Sequence, residues 1–437
     1  MGGFSVIWAG QVVSLVGNSV LRFAFVIEAW SAGERATAVT LLSLCALLPQ
    51  VVLSPVAGAL IDRSSKRTAL QLADGGGLVV VAALCAVHFA GGGLQAWQVY
   101  PAVALLGVSA AFQFPAMASA VPMLVRGDQL QRANGMLASA KSTAEVGGPA
   151  LGGVLVALSG VGVVLVVDVA SFVLALVTIR VVRFAGDARK TGAATGRKRI
   201  LRDAVAGLRH LFRQPSLRDL MLTFCVVNLV MVFGFAAVQP MVLARTGNDA
   251  AALAAVNTAI GVGGVAGGLL MATWGGPRDR GRGMMLGIIG MCLTSQVAMA
   301  LVDGVVGWCA AIFAGALLMP LINGAMHSLV QTKVEPEWHG RVFGAVMFLS
   351  QLSVPIATGV SGPLADTVFE PQASAGTGLF AVLGPVLGDG PGSGMAAMLL
   401  IAGLLGIAVA LWGLARRSVR DIDVLLPDAK PDKGEKE

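Results

Sequence analysis

The residues best placed for chemistry are ionic side chains set inside long apolar runs. In the run 4–30, Gln11, Ser14, Asn18 and Arg22 follow one another at helical steps and share one face. A lone polar group in a membrane helix is ordinarily a helix–helix hydrogen bond. An unpaired Arg near mid-membrane costs at least about 2.5–3.5 kcal/mol, so this face must meet acids or water, and a cavity is favoured over packing. Lys141 and Glu145 lie four apart inside the run 133–157. They are either an ion pair that cancels itself, or Glu145 exchanges a proton as Lys141 or Arg22 moves away, which couples an ion to transport. Asp168, about a third of the way into the run 161–183, is either the counter-ion of Arg22 or a structural polar group beside Ser171, the second slightly favoured.

Further polar and aromatic groups interrupt other runs: Phe112, Gln113 and Phe114; Asn228, Phe233, Phe235 and Gln239; and Asn323, His327 and Gln331 at steps of four. Each is weak alone. His327 reads as an interfacial residue near the inner surface before it reads as a proton relay. Asp62 and Asp74 are expected in a cytoplasmic loop network, and Glu28 and Asp303 at solvated outer ends. Gly261 to Gly268 is glycine-rich, but it sits inside an apolar run with no strand before it. Small-residue helix packing through Gly263/Gly267 and Gly264/Gly268 is the better reading. No nucleophile–base pair, metal cluster or phosphate loop stands outside the apolar runs, so neither catalysis nor a cofactor is expected. The five cysteines all fall inside apolar runs and form no CxxC pair, which reads as small buried residues.

The elements that must carry these groups follow from composition. Of 437 residues, 56% are hydrophobic and 13% charged, against about 45–50% and 25% in soluble domains. This is an all-α membrane protein. Twelve apolar runs can be marked: 4–30, 38–61, 68–90, 98–122, 133–157, 161–183, 218–243, 250–274, 284–302, 305–330, 341–365 and 394–415. Lys and Arg outside the runs crowd the even-numbered loops and the tail, while the odd-numbered loops hold only Arg35 and Arg245. By the positive-inside rule both termini are cytoplasmic, in a cell membrane. The net charge of +7 is this cytoplasmic excess and not a nucleic-acid surface. The first run is an uncleaved span rather than a signal peptide.

The long polar segment 184–217 separates two six-span halves, 1–183 and 218–416. Within it, Leu201, Ala204, Val205, Leu208, Leu211 and Phe212 recur at helical spacing among Arg202, Arg209 and Arg213, an amphipathic helix on the inner surface. Segment 367–393 has acids, no basic residue and a short apolar patch, so an external loop with an interfacial element is expected. The tail 417–437 is charged and is expected to be mobile.

Several motifs carry a resemblance. Gly58, Asp62, Arg63, Lys66 and Arg67 form Gly-x-x-x-Asp-Arg-x-x-Lys-Arg between the second and third runs. Gly148-Pro149-Ala150-Leu151-Gly152-Gly153 lies in the fifth. Gln129 to Asn134, Gly207 to Leu211, Pro215 to Arg218, His339 to Gly344, Pro355 and Gly362 to Asp366 follow in order. Together they resemble the major facilitator superfamily, especially its macrolide and enterobactin exporters, with a span 5 signature similar to that of antiporters. A Gly usual in the first motif is replaced by Ser64 or Ser65.

The resemblance implies two six-helix bundles around a cavity lined by spans 1, 4, 7 and 10, with alternating access about a midplane site. It makes Asp62 and the basic residues after it a latch on neighbouring helix ends, Asp62 suiting the start of span 11. The second-half copy, Gly275 to Arg282, is degenerate, so no matching latch is expected there. Proton-coupled export of a small amphipathic molecule, by a monomer, is the expected function. Arg22, Lys141, Glu145 and Asp168 form the charge network, and Gln11, Asn18, Arg22, Phe112, Gln113, Asn228, Phe233 and Asn323 line the cavity. A metabolite importer or facilitator, and a non-transporting scaffold or lipid-handling protein, are the alternatives.

Overall fold

Runs of about 20 apolar residues must form helices in hydrocarbon, where every backbone donor and acceptor has to be satisfied within the segment. The computed structural model describes residues 2–91, 93–126, 129–182, 184, 209, 212–335 and 338–427. Among these, ten helices are long and apolar enough to cross a membrane. The proposed amphipathic helix of 184–217 lies almost wholly outside the described residues.

The helices are α1 (Gly2–Ser31), α2 (Ala36–Arg63), α3 (Lys66–Gly91), α4 (Ala96–Leu124), α5 (Leu130–Val181), α6 (Pro215–Phe235), α7 (Val238–Thr246) and α8 (Ala250–Trp274). They continue with α9 (Arg280–Cys292), α10 (Val305–Lys333) and α11 (His339–Leu364). Helix α9 runs on through a π turn (Leu293–Ala298), and α11 through another (Ala365–Phe369) into α12 (Glu370–Ala375). Then come α13 (Phe380–Leu387), α14 (Ser393–Ala415), α15 (Arg417–Arg420) and α16 (Ile422–Leu425). Helix α5 contains the fifth and sixth runs: at Gly160 the backbone turns to φ 69°, ψ −176°. Only glycine takes that conformation without strain, so one residue joins two spanning limbs.

The described residues divide into two compact units. Unit 1 holds α1 to α5 together with Val242–Thr258, the end of α7 and the start of α8. Helix α1 is its centre and packs along both limbs of α5, while α4 packs on α2 and α3. Unit 2 packs α6 on α11 and α14, and α9 on α10 and α14. Its core includes Leu217, Met284, Met285, Ile288, Met326 and Leu329. Within it, Gly263 and Gly267 do face α10, where an added Cβ would strike Phe313 and Leu317 carbonyls, whereas Gly264 and Gly268 have open space.

Segment 367–393 is tied to α14: Glu370 accepts hydrogen bonds from Gly392 N (3.3 Å) and Met395 N (3.0 Å) at its start, and the apolar patch forms the short helix α13. One expectation fails here. The tail is not mobile through residue 426. Val419 and Ile422 are fully buried in the unit 2 core, because two apolar residues three apart cover the otherwise open end of α9.

Candidate functional site

Three polar groupings lie in unit 1, and each is created by a close approach to α1. Along the first limb of α5, Gly148 packs on Ser19 and Gly152 on Phe23, where any Cβ would collide. This is the physical use of the Gly148-Pro149-x-x-Gly152-Gly153 signature, and Gly153 packs against Ala254 in the same way. The contact brings Arg22 within electrostatic range of Glu145, and Glu145 pairs with Lys141 at 3.7 Å. The three charges therefore form one set, but not a buried one. The side chains of Lys141 and Glu145 are 70% and 59% exposed, and Arg22 is exposed too. An apolar run alone does not tell which side of a helix its neighbours cover.

Along the second limb, Gly10 meets Thr178, and Gly17 meets Asp168 and Ser171. Asp168 is fully buried, and its Oδ1 accepts from Ser171 Oγ at 3.1 Å. The charge facing Arg22 is Glu145, so Asp168 is placed beside Ser171 and not as Arg22's counter-ion. Its Oδ2 and the nearby Ser14 Oγ are buried without hydrogen-bond partners.

The third grouping corrects the sequence reading. Asp74, expected in the loop network, is fully buried. Gln11 Nε2 donates to its Oδ2 (2.6 Å) and Gln113 Nε2 to its Oδ1 (2.7 Å). Gln113 Nε2 also reaches Gln11 Oε1 at 3.3 Å. This triad ties α1, α3 and α4 together. Gln11 and Gln113, expected to line a cavity, spend their amides here and are 3% and 8% exposed. Phe112 packs against the neighbouring core of Phe4 and Ile7, and Asn18 is half-buried on α1.

Unit 2 contains a cavity of about 210 Å³ between α6, α10 and α11. Its polar lining is Asn228, Asn323, His327, Ser350 and Gln351, and its apolar lining is Phe224, Met326, Val330, Val346 and Val354. Asn323 and His327 stand one turn apart on α10, just past Pro320. Asn228 Nδ2 donates to Ser350 O (2.9 Å) and Ser353 Oγ (3.1 Å), so one amide both faces the cavity and joins α6 to α11. Pro355 lacks an N–H, which removes the helical donor to the Gln351 carbonyl. Thus Asn228 and Asn323 are brought together, with His327 added. Phe233 is half-buried elsewhere on α6, where its carbonyl accepts from Ser361 Oγ at 3.0 Å. Ser350 and Gln351 escaped the sequence reading, although Ser350-Gln351-x-Ser353 ahead of Pro355 was a usable signal.

At the basic loop of unit 1, Lys66 Nζ donates to Ile61 O and Arg67 Nη2 to Arg180 O, both at 2.6 Å. The side chains of Gly58, Asp62 and Arg63 lie outside the described residues.

Long apolar helices, ionic groups within them and a mixed polar cavity define a membrane transporter rather than an enzyme. The family model of the Major Facilitator Superfamily matches residues 7–358, and the chain belongs to that superfamily. It is 26% identical over 378 residues to macrolide efflux protein A of Streptococcus pyogenes, covering 84% of this chain and 90% of that protein. It is 25% identical over 363 residues to the multidrug efflux pump Tap of Mycolicibacterium fortuitum, covering 80% and 86%. Among solved structures it is similar to a bacterial homologue of the human lysosomal transporter Spinster in an inward-facing, unoccupied conformation. There the TM-score is 0.67 at 15% identity, with 95% of this chain and 98% of that one covered.

Proposed function

We propose that the protein exports a small amphipathic organic molecule across the cell membrane by alternating access, driven by inward proton movement, with both termini in the cytoplasm. The observation that carries this reading is the unit 2 cavity. Apolar walls from Phe224, Met326, Val346 and Val354 with amides at Asn228, Asn323 and Gln351 suit a largely apolar molecule held by a few neutral hydrogen bonds. Similarity to macrolide and multidrug efflux proteins supports the same substrate class and direction.

In this reading, the charge set Arg22, Lys141 and Glu145 performs ion coupling. Glu145 is the carboxyl that carries the proton in this set, with Lys141 at 3.7 Å and Arg22 as its cationic neighbours. Asp168 is the buried acid of the same unit, and the Gly17 notch lets α1 sit against it. Asn18 continues the polar face of α1 between these groups.

The test is substrate uptake by inside-out vesicles under an imposed proton gradient. Glu145→Gln is expected to reduce proton-driven uptake at least about 100-fold, the lower end of the range for losing one proton-transfer group, with normal insertion and expression. Undiminished uptake rejects the coupling role, and gradient-driven movement in the opposite direction makes the protein an importer.

A further inference from the structure

The last described residues of the chain are fastened to unit 2 at four places. Asp423 Oδ2 accepts from the backbone N–H groups of Arg280 (2.8 Å) and Gly281 (3.3 Å), the opening turn of α9. Asp421 Oδ1 accepts from Arg282 Nη2 at 2.8 Å. Lys333, at the end of α10 and only 6% exposed, donates its Nζ to the carbonyls of Asp423 (2.9 Å) and Leu426 (2.6 Å). Ser418 Oγ donates to Asp219 Oδ2 on α6 at 2.7 Å. Between these points Val419 and Ile422 are fully buried. A Cβ on Gly281 would come within 2.6 Å of the Val419 carbonyl, so that position accepts only glycine while the tail is seated.

We infer that residues 416–426 form a detachable strap that holds the ends of α6, α9 and α10 at fixed spacing and thereby sets the width of the unit 2 cavity. The link to the cavity is direct in the chain. Asp219 lies nine residues before Asn228 on α6, and Lys333 lies six after His327 on α10. At 1.5 Å per helical residue these fastenings are roughly 14 and 9 Å from the lining groups. Two of the three cavity walls are thus clamped by one short segment. The clamp combines charge-assisted hydrogen bonds with two buried apolar side chains within eleven residues, so these contacts open together as one local unit.

The strap and its effect on the cavity are tested separately, the second resting on the proposed substrate site. On purified full-length protein, trypsin cleavage after Arg420 reads release, because the protease must draw the flanking residues into an extended strand and Val419 and Ile422 are buried. The Asp421→Asn/Asp423→Asn variant is expected to be cut at least roughly tenfold faster, each rate being divided by that of a free peptide of the same sequence because Asp421 flanks the scissile bond; losing charge-assisted bonds should shift a local opening equilibrium. Gly281→Ala, which touches no charge, should do the same by displacing Val419. Wild-type protein moved from about 0.05 to about 0.5 M salt should also be cut faster, with trypsin activity normalised on a free peptide. Equal protection in both variants and at both salt concentrations overturns the strap. With the strap released, the KM for uptake of a macrolide probe into inside-out vesicles is expected to rise several-fold at unchanged kcat. An unchanged KM alongside faster cleavage overturns the control of the cavity and leaves the strap standing.

Discussion

The two units finish their polar ends with opposite signs. In unit 1, the basic residues Lys66 and Arg67 donate to the helix-end carbonyls of Ile61 and Arg180. Cations at helix C-termini meet the negative end of the helix dipole. In unit 2, the corresponding stretch Gly275 to Arg282 has lost that pattern, and the carboxylate of Asp423 instead caps the open amides of α9. The only cation buried at this edge among the described residues, Lys333, holds carbonyls supplied by the tail. A loop that looks degenerate in sequence is therefore not idle. Within the loop Asp279 caps α9 by accepting from Arg282 N at 3.2 Å, and the remaining partners lie about 140 residues further on, so loop and tail share the task of satisfying this helix end.

The largest effect that would break this comparison is at Lys333. Replacing it with Ala leaves two tail carbonyls unsatisfied in a buried place, and a loss of about 2–3 kcal/mol is expected. Detergent-phase thermal unfolding measures it, and a loss no larger than at Lys66 would mean the two edges are equivalent. Arg67→Ala removes an exposed contact to the Arg180 carbonyl and should cost no more than about 1 kcal/mol in the same assay. The smallest effect is with pH. Hydrogen bonds from Arg420 and Arg282 hold the Asp421 carboxyl well below the usual carboxylate range. A depressed carboxyl contributes stability above its unfolded pKa, about 3.9, and loses it only as pH falls through the folded value. Between pH 7 and about pH 5 the Asp421 bond should stay made. Amide hydrogen exchange of residues 419–424, corrected for intrinsic rates, should show constant protection across that window. A fall in protection there would show that other carboxylates govern the tail.

Much of the fold is legible in the sequence, because hydrocarbon thickness fixes span length and forces helices. Even the joint between the fifth and sixth runs is marked by Gly160. The sites are less so. Asn228 and Asn323 stand out as polar groups in apolar runs and do meet at the cavity, but α11's share of the lining lay in an ordinary-looking run. Lys141 and Glu145 looked buried since neighbours on the helix are apolar, yet exposure depends on which helices pack where. Asp74 sits eight residues into α3, close enough to the loop to be misassigned. Its burial comes from glutamines on α1 and α4, which no local pattern reveals. The tail was misread for the same reason: charge reads as solvation unless its partners are visible.

The single-residue turn at Gly160 has a consequence for what the molecule can present at that end of unit 1. Two spans reverse direction with no loop between them, so there is nothing at that point for an antibody, a glycan or an inserted tag to grip. On the proposed orientation, the longest segment an extracellular agent would meet is the one from Glu370 to Gly392, where Val382 and Val386 are openly displayed. Epitope insertions should therefore be tolerated near Thr377 and rejected at Gly160, a contrast that topology mapping can exploit.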